Sequence, residues 1–333
     1  MGEAKSAGRN FAFLRVLARW FANRSGNKDV TMSTPITILQ AAFASGVTER
    51  KLLAPLICAV AGEVEGLAPQ AFLRHATKLA NTLRDLQRGL NLDVVVPESG
   101  SYIELEALGA TLDWNSYPPK LMSPIQSASV PSDIERRGRL PILADTITRL
   151  KTVLGSRAAI GVALSGPQKL VSASDGHISL SDAAELVLTM VRLMCSKGVN
   201  LIWLLEDSSN PPSDLEEWQI VTTPILGTIR FYQAVPALHL PGNAEGWLPI
   251  VQELGSSAIT CVDSEKSPGL AAVVSNASLF GAIVDSELSE ITPSLRQFIS
   301  SPNCMLITSD ADWSGRVPAR EMGNKIELLK GLI

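Results

Sequence analysis

Short apolar runs recur along this chain, each halted by Pro, Gly or an acidic residue, with longer stretches of helical spacing between them. Strands buried on both faces read as continuous apolar runs rather than alternating ones. On that basis Leu53 to Val60, Leu92 to Pro97, Ala158 to Leu164, Val199 to Leu205, Ala234 to Leu240, Ser257 to Val262, Ala271 to Val274, Leu279 to Val284 and Cys304 to Thr308 are strand candidates. Helical spacing falls over Thr37 to Ala44, Pro69 to Leu90, Tyr102 to Leu108, Leu143 to Leu154, Leu180 to Lys197 and Glu321 to Leu329. Gly46, Gly109 and Gly155 close three of these helices, as glycine commonly does, and Ser181-Asp182 offers a cap for the long one. Leu112 to Leu140 is rich in Pro, Ser and charge without periodicity, which marks a functional excursion rather than an inert connection. Strands alternating with helices predict β-α units on a buried parallel sheet. About eight strands in this length favour a closed (β/α)8 TIM barrel, an α/β fold, over an open doubly wound sheet.

Composition narrows this without changing it. The 333 residues are 46% hydrophobic, enough for a large core. Net charge is -4 with 19% charged residues, so nothing electrostatic points to a nucleic-acid partner. No apolar run reaches the length of a membrane span. Cys58, Cys195, Cys261 and Cys304 lie far apart with no Cys-x-x-Cys pair, which argues against a disulfide framework or zinc ribbon and fits a cytoplasmic protein. Residues 1–31 form an N-terminal extension with an amphipathic patch from Phe11 to Phe21, read as a transit peptide or a packed helix; Met32 would serve as an internal start. Residues 32–333 form the barrel domain.

Candidate chemistry gathers where strands end. Ala234 to Gly242 is an apolar run carrying one of the chain's three histidines, His239, before Pro241 and Gly242 halt it. Two readings stand side by side: a core histidine paired with a backbone carbonyl, or an imidazole delivered to a pocket at the strand's C-terminal end. In a barrel the strand exits converge, bringing Glu63, Glu98, Ser99, Gln168, Lys169, Glu206, Asp207, Asp263, Asp310 and Asp312 to the same mouth as His239. About half of these acids are expected to cap the following helices instead. A dinucleotide fingerprint, a P-loop and a Gly-x-Ser-x-Gly elbow are all absent. Zinc has too few ligands near His239.

The order of several short motifs resembles the uroporphyrinogen decarboxylase superfamily, which includes the corrinoid-linked methyltransferases. Asp93 to Pro97 with Glu104 to Gly109, Ser165-Gly-Pro-Gln-Lys-Leu170, Gly198 to Asp207, His239-Leu-Pro-Gly242-Asn243, Gly281 to Asp285 and Val317 to Glu321 carry the likeness, from roughly Thr37 to the C-terminus. The resemblance implies a distorted barrel with its active site in the mouth. The methyltransferase branch binds zinc through His-x-Cys and a later Cys; here Pro241 replaces the first Cys, and Ser309 or Asp310 stands near the second. The decarboxylase branch's Arg-rich N-terminal loop has no counterpart, and its essential Asp falls near Ser99.

These readings converge on an enzyme for a small polar or anionic molecule, performing zinc-independent methyl or one-carbon transfer. His239, Glu98 and Asp207 are the catalytic candidates; Ser99, Tyr102, Gln168, Lys169, Glu206, Asp263, Asp310 and Asp312 are the substrate-binding ones, with no metal ligand among them. The resemblance implies a pterin or corrinoid methyl carrier as cofactor. The alternatives are a carboxy-lyase, in which Lys169 or an Arg of residues 134–140 pairs a porphyrinogen-like or other carboxylate, and an inactive ligand-binding barrel. The expected partner is a small molecule, with no nucleic acid or membrane; a homodimer is left open.

Overall fold

A computed structural model describes residues 33–100, 102–123, 129–314 and 316–333. The expectations for residues 1–31 and Met32 lie outside the described residues. Eight parallel strands form one barrel sheet: β1 (Leu52–Leu53), β2 (Val94–Val95), β5 (Ala159–Ser165), β6 (Leu201–Leu205), β7 (Val235–Leu240), β8 (Ile259–Val262), β9 (Phe280–Val284) and β10 (Cys304–Ser309). Between β2 and β5, β3 (Thr111–Asp113) and β4 (Lys120–Ser123) make a separate antiparallel pair. The sheet runs β1-β10-β9-β8-β7-β6-β5-β2. Its two short end strands meet through Asp93. The Asp93 N–H donates to Leu53 O at 3.2 Å, and its carboxylate accepts from the Leu53 N–H at 2.9 Å and from Arg50 at 3.0 and 2.6 Å. One acidic side chain thus replaces the ladder bonds that two-residue strands cannot supply, and the barrel closes.

Alternation along each strand sorts the core into an interior and an outer shell. Ala159, Ala163, Leu201, Trp203, Leu205, Val235, Ala237, Ile259 and Cys261 fill the interior together with Ile38, Leu39 and Ala42. The last three come from helix Pro35–Ser45, which plugs the N-terminal end. Thr34 caps that helix by accepting from the Thr37 N–H, Pro35 sits in its first turn, and Gly46 ends it at φ 76°. Trp203 fits only because β5 carries Gly161, where a Cβ would lie 2.4 Å from the indole. Leu238 and Leu240 face outward into the helix shell, which places His239 between them on the inward face. Each buried apolar side chain of this kind contributes about 1.5–3 kcal/mol.

Four expected elements come out differently. Ala271 to Val274 is no strand but part of helix Pro268–Ala277, packed by Leu270, Ala271 and Val274; those buried positions have helical spacing. Leu53 to Val60 is extended only at its start and ends in helix Val60–Val64. Pro69 to Leu90 is two helices, Pro69–Phe72 and Ala76–Leu90, with His75 at the junction. Leu180–Lys197 is one helix as expected, but Ser179 caps it, accepting from the Asp182 N–H at 3.1 Å. Among the described residues no helix is long and apolar enough to cross a membrane.

Candidate functional site

On the side of the mouth formed by β10, β1 and β2, buried polar groups make one connected network. Asp312 follows β10 and is 1% exposed. Its carboxylate accepts from the Ser314 N–H at 2.8 Å, from the Cys58 N–H at 3.4 Å, from the Tyr117 hydroxyl at 2.8 Å and, at very short range, from the Ser99 hydroxyl. Burial raises its pKa above the usual carboxylate range against these bonds. Glu98, beside Ser99 after β2, accepts from Arg139 Nη1 at 3.1 Å; Arg139 Nε also donates to Glu106 at 2.6 Å, and Glu106 accepts from Arg74 at 2.6 Å. The Arg139 guanidinium lies 5.0 Å from the Trp114 ring centroid. Cys58 donates its thiol proton to Pro97 O at 3.0 Å. Burial first, then the nearby Asp312 charge, pushes that thiol's pKa well up, so it stays protonated and is no nucleophile.

The side formed by β5, β6 and β7 is built differently. His239 is 1% exposed on β7. Its Nε2 lies 2.9 Å from Ser309 O across the mouth on β10. A carbonyl only accepts, so Nε2 carries the proton and Nδ1 presents a lone pair. That Nδ1 is buried with no hydrogen-bond partner among the described residues. Burial lowers the pKa of the ring to about 4, and the charge of Lys169 works in the same direction. At neutral pH His239 is therefore an acceptor and not the imidazolium acid that its sequence position also allowed. The reading as a core histidine paired with a backbone carbonyl describes Nε2.

Lys169 lies in helix Pro167–Ala173, directly after β5. It is half-buried, and its ammonium makes no hydrogen bond or ion pair among the described residues. Burial lowers its pKa, while Glu104, Glu206 and Asp207 oppose the shift. Glu206 accepts from the Lys169 N–H at 2.9 Å and from Trp218 Nε1 at 3.4 Å, so it caps the helix from below. Gly166 makes room for it, since a Cβ there would lie 2.2 Å from the Glu206 carboxyl carbon. Burial raises Glu206 to about 7. Glu104, fully buried, accepts from the Ser165 N–H at 2.7 Å and is raised by burial. Both carboxyls therefore hold protons more readily than usual, which thins the negative charge around Lys169.

The remaining sequence candidates have more ordinary duties. Asp263 Oδ1 accepts from the Glu265 and Lys266 N–H groups at 3.0 and 3.2 Å, while its buried Oδ2 has no hydrogen bond among the described residues and only a 3.7 Å ion pair with Lys266. Asp310 accepts from the Ser286 N–H, Trp313 Nε1 and Arg316. Asp207 is half-buried, accepting from the Ser209 N–H at 3.2 Å. Tyr102 opens helix Ile103–Ala107 at φ 56°, with burial raising its phenol. Gln168 is half-buried beside Lys169, and Glu63 is exposed. Sequence reasoning did not single out Cys58, Trp114 or Tyr117 for the site, and it considered Arg139 only as a substrate cation. Tyr117 and Arg139 belong to the aperiodic excursion, where no spacing signals a partner. The zinc that the resemblance implies for its methyltransferase branch does not fit: Pro241 stands where the first Cys would be, and among the described residues no three His, Cys, Asp or Glu side chains group as a metal site.

No protein-family model matches the chain, and no curated protein does. Among solved structures it is similar to a methyltransferase from Methanosarcina mazei, at TM-score 0.72 and 15% identity, covering 90% of this chain and 98% of that one. A D-psicose 3-epimerase from Clostridium cellulolyticum H10, solved with D-tagatose, aligns at TM-score 0.44 and 10% identity over 75% of this chain and 83% of that one. At 15% identity the likeness to the methyltransferase is one of barrel fold.

Proposed function

We propose that this barrel is a methyl- or one-carbon-transfer enzyme acting on a small polar anion, without zinc. The observation that carries the site is a pair of uncommitted groups in the mouth: the His239 Nδ1 lone pair and the Lys169 ammonium. Buried polar atoms are ordinarily paired, and an exception calls for a missing partner. A substrate is that partner here. Lys169 binds its anionic part, His239 Nδ1 accepts a hydrogen bond from it, and Ser309 O holds the imidazole still. Positioning of this kind supplies much of a transfer enzyme's rate. The transfer chemistry itself is supported by the fold-level likeness to the methyltransferase from Methanosarcina mazei.

Arg139 is committed to Glu98 and Glu106 and Arg137 to Asp133, so a carboxy-lyase reading rests on Lys169 or Arg136 to grip a carboxylate. The test is direct. Purified protein is incubated with methyl donors and small acids, and products are followed by mass spectrometry. A methylated acceptor, lost in Lys169→Met and His239→Met, is the expected result. Carbon dioxide without a methylated product would replace the reading with a lyase, and binding without turnover would leave an inactive barrel.

A further inference from the structure

The fixed tautomer of His239 carries a requirement on the ligand. Because Ser309 O takes the Nε2 proton, the nitrogen left in the mouth can accept a hydrogen bond and cannot give one. The ammonium of Lys169 can give and cannot accept. We infer that the substrate is a small carboxylate bearing a hydroxyl or amine donor, the acid group facing Lys169 and the donor hydrogen facing His239 Nδ1. This rests on the reading of the mouth as the active site and specifies which molecules it takes.

The donor matters more than its size suggests. A ligand without a donor, such as an ether or a ketone, leaves the Nδ1 lone pair as unpartnered as it is in the free protein, whereas a donor gains that bond. A ligand with the donor but a neutral amide in place of the acid gives the ammonium no counter-charge. His239 lies across the mouth in the layer of Ser165 and Leu205, which its strand register sets side by side. Its ring is pinned, so a donor must come to it.

The test uses the full chain and three matched probe sets: hydroxy and amino acids such as glycolate, lactate and glycine; their donor-blocked counterparts, such as methoxyacetate; and their amides, such as glycolamide. Binding is read by saturation-transfer NMR and thermal shift. The state of His239 is read from the 15N resonances of its ring, which are separable because the other histidines, His75 and His177, are exposed. The expected result is that some hydroxy or amino acid binds, that its methylated counterpart and its amide bind about ten- to a hundred-fold more weakly, and that the unprotonated Nδ1 resonance moves on binding. In His239→Met the donor preference disappears while the acid is still bound; in Lys169→Met the acid is lost. A panel silent throughout, a methylated counterpart binding as well as its parent, or an Nδ1 resonance already protonated in the free protein would overturn the inference. A donor-bearing acid that binds as described and is never methylated would keep the inference and remove the transfer reading.

Discussion

The two sides of the barrel mouth differ in how completely their polar groups are satisfied. Around β10, β1 and β2, Asp312 takes bonds from four residues and Arg139 bridges two carboxylates. Of the buried side-chain atoms lacking a hydrogen-bond partner among the described residues, Thr308 Oγ1 lies on β10, but none belongs to Cys58, Glu98, Ser99, Arg139 or Asp312. Around β5, β6 and β7, among the described residues, His239 Nδ1 has no hydrogen-bond partner and the Lys169 ammonium makes no hydrogen bond or ion pair. A complete network specifies a conformation, whereas an incomplete one stores the cost of isolated polar groups until something meets them. The closed side ties Tyr117 and Arg139 of the excursion onto the barrel; the open side carries the proposed ligand site.

The largest effects should come from breaking the closed side. Arg139→Met takes the buried guanidinium away from Glu98 and Glu106 and should cost about 3–5 kcal/mol in denaturant unfolding. Asp312→Ala orphans the Ser314 and Cys58 N–H groups with two hydroxyls, and should cost a similar amount. If either variant unfolds like the parent, the closed side is no scaffold.

Next in size are the titrations of the open side. His239 falls from 6.5 to about 4 on folding. The unfolded chain therefore takes up the proton first, and stability is lost as pH drops from about 6.5 toward 4. The full loss is on the order of 3 kcal/mol. Glu206 rises from 4.5 to about 7. Its contribution is present below about pH 4.5 and is lost as pH climbs through 7, the opposite slope. Measured stability against pH should lose its acid-side slope in His239→Gln and its slope up to pH 7 in Glu206→Gln. Variants that leave the profile unchanged would remove burial as the cause.

Smaller effects separate tie from turn. Tyr117→Phe removes one bond to Asp312 and should cost about 1 kcal/mol, with faster amide exchange along residues 111–123. Asp263→Ala removes a turn cap and should cost about 1 kcal/mol without changing ligand binding. A loss of affinity in that variant would return Asp263 to the site.

The sequence made the scaffold of this picture legible and hid its ties. Strands such as Leu201–Leu205 and Val235–Leu240 are recognisable because burial on both faces demands an unbroken apolar run. Ala271 to Val274 has the same look yet forms a helix, since a short apolar run fits either element. Asp263, Asp310 and Glu206 confirm that acids after strands often serve backbone N–H groups. Nothing local marks Tyr117 or Arg139, whose partners lie 195 and 41 residues away. For His239, position on the strand signals its depth, but only Ser309 O decides which nitrogen is left open.

The most direct measurement is the unfolding free energy of Lys169→Met in the absence of ligand. An ammonium with no hydrogen bond or ion pair, whose burial cost outweighs the pull of Glu104, Glu206 and Asp207, adds little to the folded state, and a methionine of similar length fills its place. The account predicts stability within about 1 kcal/mol of the parent, or above it, together with loss of acid binding. A loss of several kcal/mol, comparable to Arg139→Met, would show that Lys169 is structural after all and that both sides of the mouth are scaffold.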